Sequence, residues 1–581
     1  MVSVHVGDEN LCFSMKAYAS LNHLPLDAFA AVEEEKFVFS SNCDGWQSSL
    51  RSWNASSSSE KDYTQVCQPF TRSYKSILCS VLLVPLPSSL LLLEMAYLDS
   101  SQLRIRMLEE GGFKGVIKVN SAPLDLVFNP RTVALIGASE NELKSGGMFL
   151  NSFIDCGLKS ELFLVNPRGG EIRGLKVYPS VLDVPKEIDL AIIAIPASVT
   201  PKAVEDCSKK GAKFIVVHAA GFGEMGTEGK KIEEKMMQVA RRGGSRIIGP
   251  NCMGIYCPET GFNTVVPYIG GLTEESGDVA LVAQSGWVCE YVMLIGHERG
   301  LRFSKVLSIG NQSDLTFVDF LEYLGSDPKT SIISAYLEGV KRGRGLIDVA
   351  KKISRKKPII IWKAGRTGAG TNAITSHTGS LAGDPTIHET AFKQAGIVTA
   401  QGVEELLDLL IAFKSPYLPK GNKVGIIVGA GGAGVAAADA CETLGLKVAN
   451  LPERTRLELK DLLRGVIPPF SGVSNPVDTV WLPLGQAPSI HPQMIEIMSG
   501  AVDAFMIFSY EPYGENYLSV LAKTREKIKK PIVCVPPHPT KGLDTTPWTK
   551  KGLPVYPTSK RAARALSALA QRHVFLEKFK K

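Results

Sequence analysis

The chain has 581 residues, 44% hydrophobic and 21% charged, with a formal net charge of +7. At roughly 100–200 residues per domain, this length predicts three or four domains. The charge is too dilute for a nucleic-acid-binding surface, and the densest basic stretch is the tail Lys578, Lys580 and Lys581. There are 11 cysteines with no C-x-x-C pair, and their spacing offers no zinc site, so no metal ligand set is assigned. They read as reduced thiols of a cytoplasmic protein.

Residues 1–98 differ from the rest. They hold the tract Ser56-Ser57-Ser58-Ser59 and an apolar stretch, Ser76 to Leu98, interrupted by Pro85 and Pro87. That stretch could span a bilayer on length alone. Its prolines, its serines and the mixed residues before it argue against a signal peptide, and no membrane association is expected. Residues 1–98 are expected to be a weakly structured extension or a start-site artefact, with the working protein beginning near Met95.

Beyond residue 128, short β-branched runs alternate with helical stretches. The runs are Thr132–Gly137, Leu162–Val165, Leu190–Ile195, Phe214–Val217 and Arg246–Ile248. The pattern restarts at Asp278–Ala283, through Phe303–Ile309, Ser331–Leu337 and Pro358–Trp362. It restarts again at Lys423–Val428, with Lys447–Leu451, Ala504–Phe508 and Ile532–Val535 after it. Such alternation predicts parallel sheets covered on both faces, an α/β protein of three Rossmann-like or flavodoxin-like domains in series. Gly- and Pro-rich breaks place them at residues 99–270, 271–418 and 419–581.

Several strands run into turns that suit anions, because backbone N–H groups collect at the carboxyl edge of a parallel sheet. In the first domain these are Gly137-Ala138-Ser139, Asn166-Pro167-Arg168 and Ala219-Ala220-Gly221. Cys252, in Gly249-Pro250-Asn251-Cys252, reads as a packed thiol rather than a nucleophile. In the second domain Ser285 and Gly286 open a helix whose first amides could hold a phosphoryl group. In the third, Gly429-Ala430-Gly431-Gly432-Ala433-Gly434 fits the dinucleotide fingerprint G-x-G-x-x-G. Ser474-Asn475-Pro476-Val477-Asp478 reads as a turn without chemistry of its own.

The richest stretch follows the apolar run Pro358–Trp362. It reads Lys363-Ala364-Gly365-Arg366-Thr367-Gly368-Ala369-Gly370, then Ser376-His377-Thr378-Gly379-Ser380. A histidine in such a loop can serve as base, metal ligand or nucleophile. Glu338, which ends the strand before, would point to the same edge and could orient the imidazole. Thr371 and Asn372 stand where an ATP-binding loop needs Lys and Ser or Thr, so a nucleoside triphosphate would need another chain.

As an ordered set, Ile-Gly-Ala-Ser, Asn-Pro-Arg-Gly-Gly, Gly-Pro-Asn-Cys, Gln-Ser-Gly, Leu-Glu-Gly and Gly-Arg-Thr…Ser-His-Thr-Gly-Ser-Leu-Ala-Gly resemble the NDP-forming acyl-CoA synthetases of the succinyl-CoA synthetase superfamily. The likeness is to the α subunit of the ADP-forming acetyl-CoA type, over about residues 105–575. It implies a CoA-binding domain followed by two flavodoxin-like domains. It makes His377 the phosphorylated histidine and Glu338 its stabilising carboxylate, with Ser285, Gly286 and Gly379 around the phosphoryl group. Gly137, Ala138, Ser139, Asn166, Pro167, Arg168, Ala219, Ala220 and Gly221 would contact CoA. The family's tyrosine four positions after its Ser-Gly is replaced by Glu290, with Tyr291 next, which leaves the acid open. ADP or ATP and Mg²⁺ would sit mainly on an ATP-grasp β subunit in an α2β2 assembly, with a small organic acid and phosphate as the other reactants. The rival expectations are a CoA-sensing regulatory module and an NAD-dependent oxidoreductase using Gly429–Gly434.

Overall fold

In the computed structural model, residues 123–581 are described apart from 269–274, 379–382, 469–472, 481, 484, 509–513, 537–543 and 581; for 375–378 the backbone alone is described. Four strands are also described between Ile77 and Asn120. The chain divides into two units, Met1–Pro123 and Leu124–Lys581. In the first unit, Ile77–Leu86, Ser89–Asp99, Gln102–Glu109 and Gly112–Asn120 pair in sequence order as an antiparallel meander. The apolar stretch ending at Leu98 thus supplies residues 77–86 and 89–98 to the first two strands, and the meander runs past residue 98.

The second unit holds three sheets. In the first, the strand Thr132–Ile136 is central, flanked by Glu161–Val165 on one side and Leu190–Ile193 on the other. Phe214–Val217 and Arg246–Ile248 extend the second side in parallel register. In the second, Val279–Ala283 is central between Phe303–Ser308 and Ile332–Leu337, and Ile359–Lys363 and Ile397–Ala400 follow outward. In both sheets the order reverses beside the domain's first strand, and the crevice opened there is the expected ligand position.

Two short strands before residue 270 join the second sheet. Gly254–Cys257 and Phe262–Asn263, which fall inside 99–270, are antiparallel strands of the second sheet: the first pairs onto Phe303–Ser308, and the second pairs onto the first and forms the sheet edge. The link from Gly249 to Met253 therefore passes directly from the edge strand of one sheet to the second-outermost strand of the next.

The third sheet shows why its strands read as unbroken apolar runs. Ile427, Phe505, Ile507, Ile532 and Cys534 pack into one core, while Val424, Ile426, Val428, Met506, Val533 and Val535 pack into another. Alternate residues of the same strands go to opposite faces, so both faces are buried. Each such large side chain contributes roughly 1.5–3 kcal/mol of burial energy.

The turn Ser474–Asp478 has structural work that its sequence did not announce. Asn475 accepts from Ile426 N (2.8 Å) and donates to Val424 O (2.8 Å) and Ala449 O (3.0 Å). One amide side chain thereby bridges two neighbouring strands. The third sheet is tied to the second through Asp408, a buried carboxylate that accepts from Arg299 Nη2 (2.7 Å) and from Arg561 Nη2 (2.7 Å) on the final helix, Ser559–Glu577. Two cations with direct hydrogen bonds compensate its desolvation.

Candidate functional site

The first sheet's turns are built for close approach. Gly137 has φ 92° and donates to Val165 O at 2.9 Å. A Cβ on Gly146, at the start of the helix Ser145–Asp155, would lie 2.0 Å from Gly137 O. Glycine at 146 therefore lets the helix start sit against the turn, the packing that phosphate-binding βα turns need. Sequence reasoning passed over Gly146; its signal was the doublet Gly146-Gly147 opening the helix. Asn166 Nδ2 donates to Ala138 O (2.9 Å) and Asn166 Oδ1 accepts from Arg168 N (3.0 Å), which locks two of the turns together and leaves Arg168 exposed.

The third turn is held from outside. Glu224 Oε1 accepts from Gly221 N (2.7 Å) and Phe222 N (3.1 Å), and Glu224 Oε2 accepts from Asn311 Nδ2 (2.6 Å) in the second domain. Burial pushes this carboxyl up, but the bonds from Asn311 and the backbone outweigh it and leave the group below the usual range. The Gly221 amide is thus already engaged within the protein.

Cys252 is buried and donates to Val217 O at 3.3 Å, and burial pushes its thiol up to about 12. A thiol held in that state is a packing group, as expected.

In the second sheet the register brings three strand ends side by side. Val279–Ala283 pairs with Ile332–Tyr336, and Leu337 lies opposite Lys363. The next residues along, Gln284, Glu338 and Ala364, share one edge. Ser285 caps the helix Gly286–Glu298, its Oγ accepting from Val288 N at 3.4 Å. A Cβ on Gly286 would fall 2.3 Å from Met253 Sδ, so this helix start is pressed against the inter-sheet link. Trp287 is 56% exposed beside it and packs on Tyr291, with ring centroids 5.2 Å apart. Glu290 accepts from the Tyr268 hydroxyl.

Glu338 is 5% exposed. Its N–H donates to Gln284 Oε1 (2.7 Å), as does that of Gly339 (3.0 Å), and its carbonyl accepts from Lys363 Nζ (2.7 Å). Its Oε1 accepts from the Tyr336 hydroxyl at 3.2 Å, while Oε2 is buried with no hydrogen-bond partner among the described residues. A bare, buried carboxylate oxygen is costly unless a donor arrives. Burial lowers the Lys363 ammonium to about 8, against the opposing pull of Glu338. Gln284 and Lys363 both lay inside stretches singled out in the sequence but were not read as site residues.

The glycine-rich stretch is less of a loop than its composition implied. Thr367 Oγ1 accepts from Gly370 N (3.1 Å) and Thr367 O from Thr371 N (2.8 Å), which starts a helix, Gly368–Thr378. A threonine cap outweighs the glycine cost here, and Ile374 anchors the helix in the core. His377 is in its last turn, and the helix lies against Gly223–Met225 of the first sheet's domain. The His377 side chain and Gly379 fall outside the described residues. A small cavity is lined by Lys363, Arg366, His388 and Glu389. Among the described residues no group of three or more His, Cys, Asp or Glu could hold a metal ion.

The third domain's Gly431–Thr443 helix follows the glycine turn, with Asp478 Oδ2 3.3 Å from where a Gly431 Cβ would stand.

Three family models match in the order of the sheets: a CoA binding domain at residues 131–258, a succinyl-CoA ligase like flavodoxin domain at 276–413, and a Ligase-CoA domain at 424–505. The α subunit of ADP-forming acetate–CoA ligase II of Pyrococcus furiosus is 43% identical over 61% of this chain and 76% of its own length. This chain belongs to the NDP-forming acyl-CoA synthetases. The isoform I α subunit of the same organism is 36% identical over 77% of this chain and 97% of its own length. Acetyl-coenzyme A synthetase 1 of Ca. Korarchaeum cryptofilum, solved with phosphate and ADP, superimposes with a TM-score of 0.68 at 33% identity, over 78% of this chain and 98% of that one. Against the ADP-forming acetate–CoA ligase of Methanocaldococcus jannaschii, this chain spans 49% of the relative's length at 42% identity. The family is one of acid–thiol ligases, and its CoA-binding and flavodoxin-like domains stand here in series.

Proposed function

We propose that this chain is the α subunit of an ADP-forming acyl-CoA synthetase of the acetate type. It interconverts acyl-CoA, ADP and phosphate with acid, CoA and ATP, through an acyl phosphate and a phosphohistidine at His377. The observation that carries the reading is Glu338: a buried carboxylate with one oxygen unpartnered among the described residues, at the sheet edge from which the His377 helix departs.

CoA occupies the turns at Gly137–Ser139 and Asn166–Arg168, where the glycine turn allows close approach and the exposed Arg168 meets its phosphates. Phosphate attacks the acyl carbon beside Ser285 and Gly286, the carbon–sulfur bond breaks and CoA leaves as its thiolate, and the helix amides stabilise the charge that develops. The His377 imidazole takes the phosphoryl group as a neutral nucleophile, and Glu338 accepts its other N–H, fixing the tautomer and stabilising the cation that results. Histidine then delivers the group to ADP. The nucleotide and Mg²⁺ belong to an ATP-grasp β subunit, in an α2β2 assembly; Mg²⁺ supplies neutralisation of the phosphate charges. The setting is the cytoplasm, and the seven described cysteines, all unpaired, accord with it.

The test is ATP formation by the complex reconstituted with its ATP-grasp partner, from ADP, phosphate and a panel of acyl-CoAs. Turnover with acetyl-CoA supports the reading, and no turnover with any acyl-CoA overturns it.

A further inference from the structure

We infer that Gln284 and Lys363 are positioning residues for the phosphoryl step, gripping the Glu338 peptide from its two sides so that the free carboxylate oxygen keeps one direction. This rests on the proposed role of Glu338 and extends it to two residues that do not themselves touch the reacting atoms.

The geometry is specific. Glu338 lies just past the end of the strand Ile332–Leu337, where sheet hydrogen bonding stops. Its N–H would otherwise lose its ladder partner, and Gln284 Oε1 supplies one at 2.7 Å. Its carbonyl receives Lys363 Nζ at 2.7 Å, and the same ammonium donates to Ala364 O at 2.7 Å. The two supports come from the two strands that flank Glu338's own strand, so a shift of either strand end would move the carboxylate. With Tyr336 holding Oε1, rotation about the side chain is restricted as well.

A merely structural account of Lys363 is weaker. Its side chain is almost fully enclosed, at 6% exposure for the residue. An apolar residue would fill a strand end at lower cost than a desolvated ammonium. Lysine makes sense where a cation is used: it bonds two carbonyls and offsets the Glu338 charge at the same edge. Gln284, 5% exposed, likewise spends its carbonyl oxygen on two consecutive amides, those of Glu338 and Gly339.

The experiment follows transfer of label from [³²P]acetyl phosphate to the full-length chain, with CoA affinity measured in parallel by calorimetry. Lys363→Met is expected to slow labelling by roughly 10- to 100-fold, as a misplacement of about 1 Å does. Its CoA affinity stays within about twofold of wild type, because CoA binds on the first sheet. Lys363→Arg, which keeps a charged donor, recovers most of the rate. Gln284→Glu, which keeps the acceptor, outperforms Gln284→Met, and this second pair decides the question should Lys363→Met fail to fold. Wild-type labelling in the Met variants, or equal loss in the conservative and Met variants, overturns the inference. His377→Ala separates the two levels. If it labels like wild type, or wild type takes no label, the phosphohistidine reading fails. If it is blank while Lys363→Met and Gln284→Met label normally, only the positioning role fails.

Discussion

Gln284 Oε1 accepts the backbone N–H of Glu338 at 2.7 Å, joining the ends of two adjacent parallel strands at the one place where a buried carboxylate oxygen has no partner among the described residues. The relationship fixes where the Glu338 carboxylate starts and therefore what it can reach. Glu338→Gln keeps the size and the Tyr336 contact but cannot stabilise a cationic imidazole. Turnover is expected to fall by roughly 100-fold or more, with CoA affinity unchanged by calorimetry. Wild-type turnover in this variant would remove Glu338 from the chemistry.

Gly146→Ala tests the first sheet. The added Cβ would stand 2.0 Å from Gly137 O, so the helix Ser145–Asp155 or the turn must move. Overpacking of this kind costs about 1–3 kcal/mol, and CoA affinity should fall roughly tenfold or more because the displaced turn is the one proposed to hold its phosphates. A calorimetric CoA titration checks this, and an unaltered affinity contradicts the assignment of CoA to Gly137–Ser139.

Cys252 sits on the link between the two sheets, yet its thiol is raised to about 12 by burial and engaged by Val217 O. Iodoacetamide at pH 8 should leave it unmodified in the folded protein and modify it in urea, as peptide mapping would show. Cys252→Ala should keep its turnover, since only a thiolate could act as nucleophile.

His491 provides a pH dependence in the third domain. It is buried against the Tyr517 hydroxyl, and burial lowers it to about 4. The unfolded imidazole titrates near 6.5, so between pH 6.5 and 4 the unfolded state binds the extra proton. The stability contribution is complete above pH 6.5 and is lost as pH falls to 4, by roughly 3 kcal/mol. Hydrogen exchange in the helix Ala487–Met498 should speed up on acidification in the wild type and less so in His491→Asn. Equal acceleration in both contradicts the assignment.

The sheet strands were legible because both faces are buried, which writes an apolar run into the sequence with no regard to partners. The Ser285 helix start and the Glu338 strand end were legible because each follows such a run directly. What depends on distant pairing was not. Gly254–Cys257 looks like any strand, and its antiparallel place on the second sheet is set by Phe303–Ser308, some distance along the chain. Lys363 looked like the first residue of a solvated loop; only the neighbouring strand ends enclose it. Asn475 looked like a turn residue, because its three partners, Val424, Ile426 and Ala449, lie far from it along the chain. The glycines around Gly368 masked a helix whose start is set by one threonine side chain. In each case the missing information was a contact between segments far apart in sequence, which periodicity does not carry.

The central claim is that His377 carries the phosphoryl group. The direct measurement is to give the complex of this chain with its ATP-grasp partner acetyl-CoA and [³²P]phosphate, then locate the label by peptide mapping. The account predicts acid-labile, base-stable label on the peptide containing His377, and none in His377→Ala. Label on another residue, or label that persists in His377→Ala, would contradict it.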